Sequence, residues 1–140
     1  MQGTAQSALL PLPTAIYGVL TATVAFTALS ALYNDVPQGT PAPYTLLENF
    51  TETPWNTMRE YGKDCTFELH VVSQARGDQE AIGILNAARA PLDYQTFAVT
   101  GFRLVECKYV SGDHWKEEAI AGVITRHHTH LYRVRLTQPS

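Results

Sequence analysis

The sequence predicts an α+β fold: a mainly antiparallel sheet with N-terminal helices and one central helix packed on one face. Three observations predict it. Cys65–Ser73 alternates, with Cys65, Phe67, Leu69 and Val71 on one face and Thr66, Glu68, His70 and Val72 on the other, which is the period of a half-buried strand. Residues 78–92 switch to the helical period, with Ala81, Leu85, Ala88 and Leu92 in a stripe that Ile82 and Ile84 broaden. Beyond Phe97 the period of two returns and persists to Leu136. At 140 residues the chain has the length of one domain, expected to span 1–140.

The elements follow in order. Ile16, Val19, Leu20 and Val24 fall at helical spacing, so a first short helix is expected near Pro13 and a second over about Thr21–Leu32. The segment from Asn34 to Pro43 holds three prolines and a glycine and reads as an extended loop. Tyr44–Phe50 reads as a strand, Thr51–Lys63 as a long loop around Pro54-Trp55-Asn56, and Cys65–Ser73 as the strand already described. Asp78 is the expected N-cap of the central helix, Glu80 suits the positive end of its dipole, and Pro91 ends or kinks it. A short strand at Phe97–Val99, a strand over Phe102–Val110, a charged connection over Ser111–Glu118 and a long strand over Ala119–Leu136 complete the chain.

Charge is scarce and uneven. Charged residues make up 16% of the chain, below the ~25% usual in soluble domains. No Lys or Arg precedes Arg59, and Asp35, Glu48 and Glu52 carry the only charges of that stretch. No basic surface is concentrated anywhere, which argues against sequence-specific nucleic-acid binding. The uncharged first 34 residues raise the question of a membrane span, but Pro11, Pro13, Gly18 and several threonines interrupt them, and no basic residue flanks them. Two core helices are the better reading, and no membrane partner is expected. Cys65 and Cys107 both fall in strands and are expected as buried free thiols.

Few residues suggest chemistry. His128 and His130 share a strand face, as two ligands of a metal would, whereas His127 faces the other way. No acid lies near them in sequence, the closest being Glu117 and Glu118, so a polar strand is preferred and no metal is assigned. No nucleophile elbow, phosphate loop or facing carboxylate pair is present, and neither enzyme activity nor a cofactor is expected. The aromatics are more telling. Trp55, Arg59 and Tyr61 lie in one expected loop, and His114, Trp115 and Lys116 in another. Large aromatics in two loops of a charge-poor chain point to a protein–protein interface.

An ordered set of segments resembles the tail-terminator, or tail-completion, proteins of long-tailed bacteriophages and gene-transfer particles. It comprises the apolar N-terminal helix pair, Val36-Pro37-Gln38-Gly39, Pro43-Tyr44-Thr45-Leu46 and the Thr53–Thr57 loop. It continues with Phe67–Ser73, the helix opening Arg76-Gly77-Asp78-Gln79-Glu80-Ala81 and the closing Leu131–Leu136. The resemblance implies a structural virion protein at the head-proximal end of the tail, with no catalytic residues to carry over. It further implies a self-assembled ring, commonly six-membered, that stops addition of tail-tube subunits and presents a surface to the head-completion connector, with DNA passing through. A stopper or connector between portal and tail is the alternative within virion proteins, and a small metal-binding or enzymatic domain is the alternative outside them. The histidines around Thr129 are not part of the resemblance.

Overall fold

The computed structural model describes residues 5–138. Three helices and five strands follow in the order α1 (Pro11–Thr21), α2 (Val24–Thr27), β1 (Ala31–Tyr33), β2 (Tyr44–Pro54), β3 (Tyr61–Ser73), α3 (Gln79–Leu92), β4 (Arg103–Lys116) and β5 (Arg126–Gln138). The strands form one sheet in the order β1-β2-β3-β5-β4, antiparallel except for the parallel β1–β2 pair, so the expected α+β class is what the chain adopts.

Helix α1 starts on two prolines in its first turn and buries Leu12, Ile16 and Leu20 along one stripe. The second expected helix is much shorter than Thr21–Leu32. Its β-branched residues favour helix weakly, and the hydroxyls of Thr21 and Thr23 donate back to the carbonyls of Tyr17 and Val19, each at 2.8 Å. The chain turns after α2, and Ala31–Tyr33 pairs with Tyr44–Leu46 instead of continuing a helix. Val24, expected on the buried stripe, is 78% exposed as a result. In α3 the residues Ala81, Ile84, Leu85, Ala88 and Leu92 are buried, while Ile82 points outward. Asp78 occupies the N-cap position, but its carboxylate makes no cap bond and is used elsewhere. Pro91 sits in the last turn, one residue before the helix ends. No helix among the described residues is long and apolar enough to cross a membrane.

One set of alternating strand residues joins the helices in the core. Cys65, Phe67, Leu69 and Val71 of β3 and Tyr132, Val134 and Leu136 of β5 are fully buried there with the α1 and α3 stripes. The opposite set, including Thr66, His70, Thr129 and Arg133, is polar and only half-buried. Across the middle runs a row of aromatic rings. Phe50 of β2 stacks on Phe67 of β3 at 5.3 Å, Phe67 on Tyr132 of β5 at 5.2 Å, and Tyr109 of β4 meets Tyr132 edge-on at 6.0 Å. Phe50 reaches this row through a bulge: Asn49 and Phe50 together oppose Phe67, and Asn49 takes a left-handed φ of 57°. Cys65 and Cys107 both pair in register with Val134. They therefore stand two strands apart, roughly 10 Å, which is too far for a disulfide.

Several strand limits differ from the sequence reading. The expected Thr51–Lys63 loop contracts to Trp55–Glu60, because β2 resumes after its bulge as far as Pro54 and β3 begins at Tyr61. Ser111–Lys116 is strand rather than connection, since each of its residues from Ser111 on stays in register with β5 despite two bulges at Val105 and Val110. The long strand expected from Ala119 starts only at Arg126. Residues 117–125 form the hairpin end, in which Ala121 (φ 53°) and Gly122 (φ 78°) make a two-residue turn between Ile120 and Val123. Phe97–Val99 contributes one isolated bridge, Val99 to Phe102.

The aromatic row makes a stability prediction. Tyr132→Ala removes one of the two fully buried inner rings of the row and is expected to cost about 3–5 kcal/mol in urea unfolding. Tyr132→Phe keeps the ring and deletes a hydroxyl that no protein group pairs with, so it is expected to be neutral or slightly stabilising. A large loss from Tyr132→Phe would show that the hydroxyl, not the stack, matters.

Candidate functional site: two ends of one sheet

The six residues expected at an interface do not gather in one place. Trp55 and Arg59 lie in the β2–β3 turn and Tyr61 opens β3, while His114, Trp115 and Lys116 end β4 in strand conformation. Tyr61 pairs with Gln138 at one end of β5, and Trp115 pairs with His127 near the other. The groups are thus separated by most of the 13-residue length of β3, roughly 40 Å.

At the first end, close backbone packing sets Trp55. Its N–H donates to the carbonyl of Gly62 at 2.8 Å, and a Cβ at Gly62 would lie 2.0 Å from the Trp55 carbonyl oxygen. Only glycine fits there. The Arg135 guanidinium sits 5.2 Å from the Trp55 ring centre, a cation–π contact. Trp55, Met58, Arg59, Glu60, Arg103 and Val105 line a shallow cavity of about 500 Å³. Met58 is 96% exposed, and Arg103 donates to Glu60 at 3.2 Å across the rim. The Arg59 side chain has no partner among the described residues.

At the second end, Trp115 lies parallel on the His127 ring at 5.0 Å and near His70 at 5.3 Å, on the polar face. His70 and His127 join two carboxylates in one hydrogen-bonded chain. Glu48 Oε1 is 2.6 Å from His70 Nδ1, His70 Nε2 is 2.7 Å from His127 Nδ1, and His127 Nε2 is 2.7 Å from Glu117 Oε1. The chain runs through both ring nitrogens of each imidazole. It ties β2, β3, β5 and the hairpin end together. Sequence reading missed it, because Glu48 and His70 lie far from His127 in the chain and Glu117 is brought close only by the hairpin. The alternation of His70 and His127 to one face was the available signal.

The other two histidines of β5, His128 and His130, occupy the core side. His128 shares the Asp78 carboxylate with Arg126, at 3.0 and 3.2 Å, and stacks on His114 at 5.4 Å. The hydrogen bond from His128 is the main reason the Asp78 carboxyl lies below the usual range, with the Arg126 charge adding to it. His130 packs on the edge of Tyr109 at 4.7 Å, and burial pushes its pKa down to about 4. Among the described residues, no three His, Cys, Asp or Glu side chains are arranged to hold a metal ion. Between the two ends, Arg133 makes a two-pronged ion pair with Asp64 that holds the Asp64 carboxyl below its ordinary value. Burial pushes the Cys65 and Cys107 thiols up to about 12, so neither suits nucleophilic chemistry at neutral pH.

The sheet thus carries aromatic and apolar side chains at both ends of its strands. Comparison with known proteins gives the class of protein. The family model described as "Tail completion protein gp17" matches residues 14–136, and the chain belongs to that family, a structural component of the virion tail. A chain of the virion of a native gene transfer agent particle shares the fold, with a TM-score of 0.82 at 22% identity over 95% of this chain and 99% of its own. A second solved chain aligns over 94% of this chain and 96% of its own at 16% identity, with a TM-score of 0.48 that is too low to inform the fold. No curated protein sequence gives a significant match.

Two outcomes follow. Gly62→Ala is expected to displace Trp55, seen as a red-shifted tryptophan emission and a lower melting temperature, while Gly83→Ala, in helix α3 with open space around the added Cβ, serves as an unhindered comparison at another glycine. His130 is neutral in the fold down to about pH 4 but takes up a proton near 6.5 once unfolded. Stability is therefore expected to fall as pH drops from 6.5 to 4, by about 1–2 kcal/mol once solvent screening of this partly buried ring is allowed for. His130→Leu should flatten that part of the stability curve, and an unchanged slope would assign it to other groups.

Proposed function

We propose that this chain ends tail-tube polymerisation at the head-proximal end of the tail, acting as a ring of about six copies that also presents the surface for head-tail joining. Membership of the tail-completion family over residues 14–136 carries the reading. The shape of the subunit supports it. Its two clusters of exposed aromatic and apolar residues lie at opposite ends of the strands, so one subunit can meet two kinds of partner at once. The β2–β3 turn, with Trp55 and Arg59 around an open cavity and Tyr61 at the start of β3 beside it, serves an axial partner, the tail tube or the head-completion connector. His114, Trp115 and Lys116 serve a neighbouring copy. The chain acts by assembly, with no catalytic step and no cofactor.

The test is tail length and end structure by electron microscopy. Particles made without this chain should carry tubes longer than native and headless ends. Trp55→Ala with Arg59→Ala is expected to reproduce that defect while the purified variant remains folded. Tails of native length, joined to heads, in the absence of the chain would remove the reading.

A further inference from the structure

The register of the sheet places two unlike surfaces at the same height on its two edges. Ala31, Leu32 and Tyr33 of β1 pair with Tyr44, Thr45 and Leu46; following the ladders through β3 and β5, these rows end on β4 at Trp115, His114 and Asp113. β1 and β4 are the edge strands of the sheet. Lower on β4 the edge is covered, since Tyr94 N–H donates to the Cys107 carbonyl at 2.7 Å and Tyr109 N–H to Asp93 at 2.9 Å. From Val110 to Lys116 every residue is exposed.

The β4 edge and its hairpin form an apolar arm. Val110, Trp115, Ile120 and Val123 are 48, 44, 78 and 43% exposed. The β1 edge carries a matching apolar patch on α2 and the turn after it, with Val24 at 78% and Leu29 at 49%. The arm carries charge of both signs, at Asp113, Lys116, Glu117 and Glu118, whereas the α2–β1 edge carries a single charge, Asp35. Arg76, beside the arm in the cleft lined by Val123 and Ile124, and Lys116, on the arm, are exposed cations with no partner among the described residues. Asp35, just past β1, is an exposed anion with none, and no basic residue occurs anywhere before Arg59. Glu118 at the hairpin end is likewise free and stays at the solvent margin of this contact.

We infer that the hairpin arm of one copy, Val110–Val123, docks on the α2–β1 edge, Val24–Asp35, of a second copy. The inference rests on the proposed ring and names the surfaces that close it. Two different patches make a head-to-tail contact, which closes into a ring only if each step is a rotation without a rise. Patches level along the strand direction meet that condition, with the ring axis running roughly along the strands. The edge that receives the arm holds no basic residue, so the free cations Lys116 and Arg76 meet no like charge there.

Two variants test it: Ile120→Asp with Val123→Asp to disable the arm, and Val24→Asp with Leu29→Asp to disable the patch. All four positions are exposed, so both proteins should keep the wild-type melting temperature. Each alone should reduce ring-capped tails at least tenfold, and an equimolar mixture should yield only arm-to-patch dimers, never rings. Val24→Cys with Ile120→Cys, oxidised on assembled tails, should give a ladder of linked copies up to the full ring, and neither single cysteine should give any. Normal rings from either Asp variant, or no ladder from rings that microscopy shows on the tubes, would overturn this assignment and leave the ring itself standing. Wild-type particles without any ring at the tube end would overturn the proposed function, and this inference with it.

Discussion

The stack of rings from Phe50 through Phe67 and Tyr132 to Tyr109 is the constraint on which the rest of the structure depends. It crosses four strands in a single row, so it fixes three strand registers at once. A slip of one residue in any of them would turn a ring to the polar face and expose it. The row also anchors α3, because Arg89 lies over the Tyr109 ring at 4.3 Å while Asp93 accepts from both Arg89 and the Tyr109 backbone. Once the middle is fixed, both ends of the sheet are fixed relative to each other. The proposed role, with contacts at both ends of the strands, calls for that rigidity.

Charge is handled in a matching way. Along the polar face the ionic groups are mostly consumed internally, in the Asp64–Arg133 pair and the chain from Glu48 to Glu117. Those pairs brace the strands and offer little to a partner. The unpaired charges are few and lie at the margins, at Asp35, Arg59, Arg76, Lys116 and Glu118. A low charged fraction therefore reflects a chain that spends its charges on bracing and leaves apolar ends, rather than one suited to a lipid bilayer.

Much of the fold was legible from alternation and period. Cys65–Ser73 and the α3 stripe read correctly because each repeats without interruption and each buries one face. The misreadings have a common physical origin. Bulges at Asn49, Val105 and Val110 break the period of two, so β2 and β4 looked shorter than they are. The Thr21–Leu32 segment has a helical apolar pattern, but its threonines and a chance of parallel pairing with Tyr44–Leu46 overrule it. The pattern that governs contact between elements far apart in sequence was not readable at all. Nothing local tells Glu117 that His127 will lie 2.7 Å away, or Trp115 that it will stack there. The six residues singled out for an interface were selected by residue type alone, and residue type cannot show that they occupy opposite ends of the subunit. Ile120 and Val123, flanking an Ala-Gly turn, were hidden inside what read as one continuous strand.

The two thiols have a consequence for the life of the particle. A tail component leaves the reducing interior of its host and must then persist in oxidising surroundings. Cys65 and Cys107 stay protonated at neutral pH, sealed from solvent on either side of Val134 and out of reach of each other. Release into air-saturated medium therefore leaves these two thiols neither paired with each other nor open to attack, and the particle ages no faster outside the cell on their account.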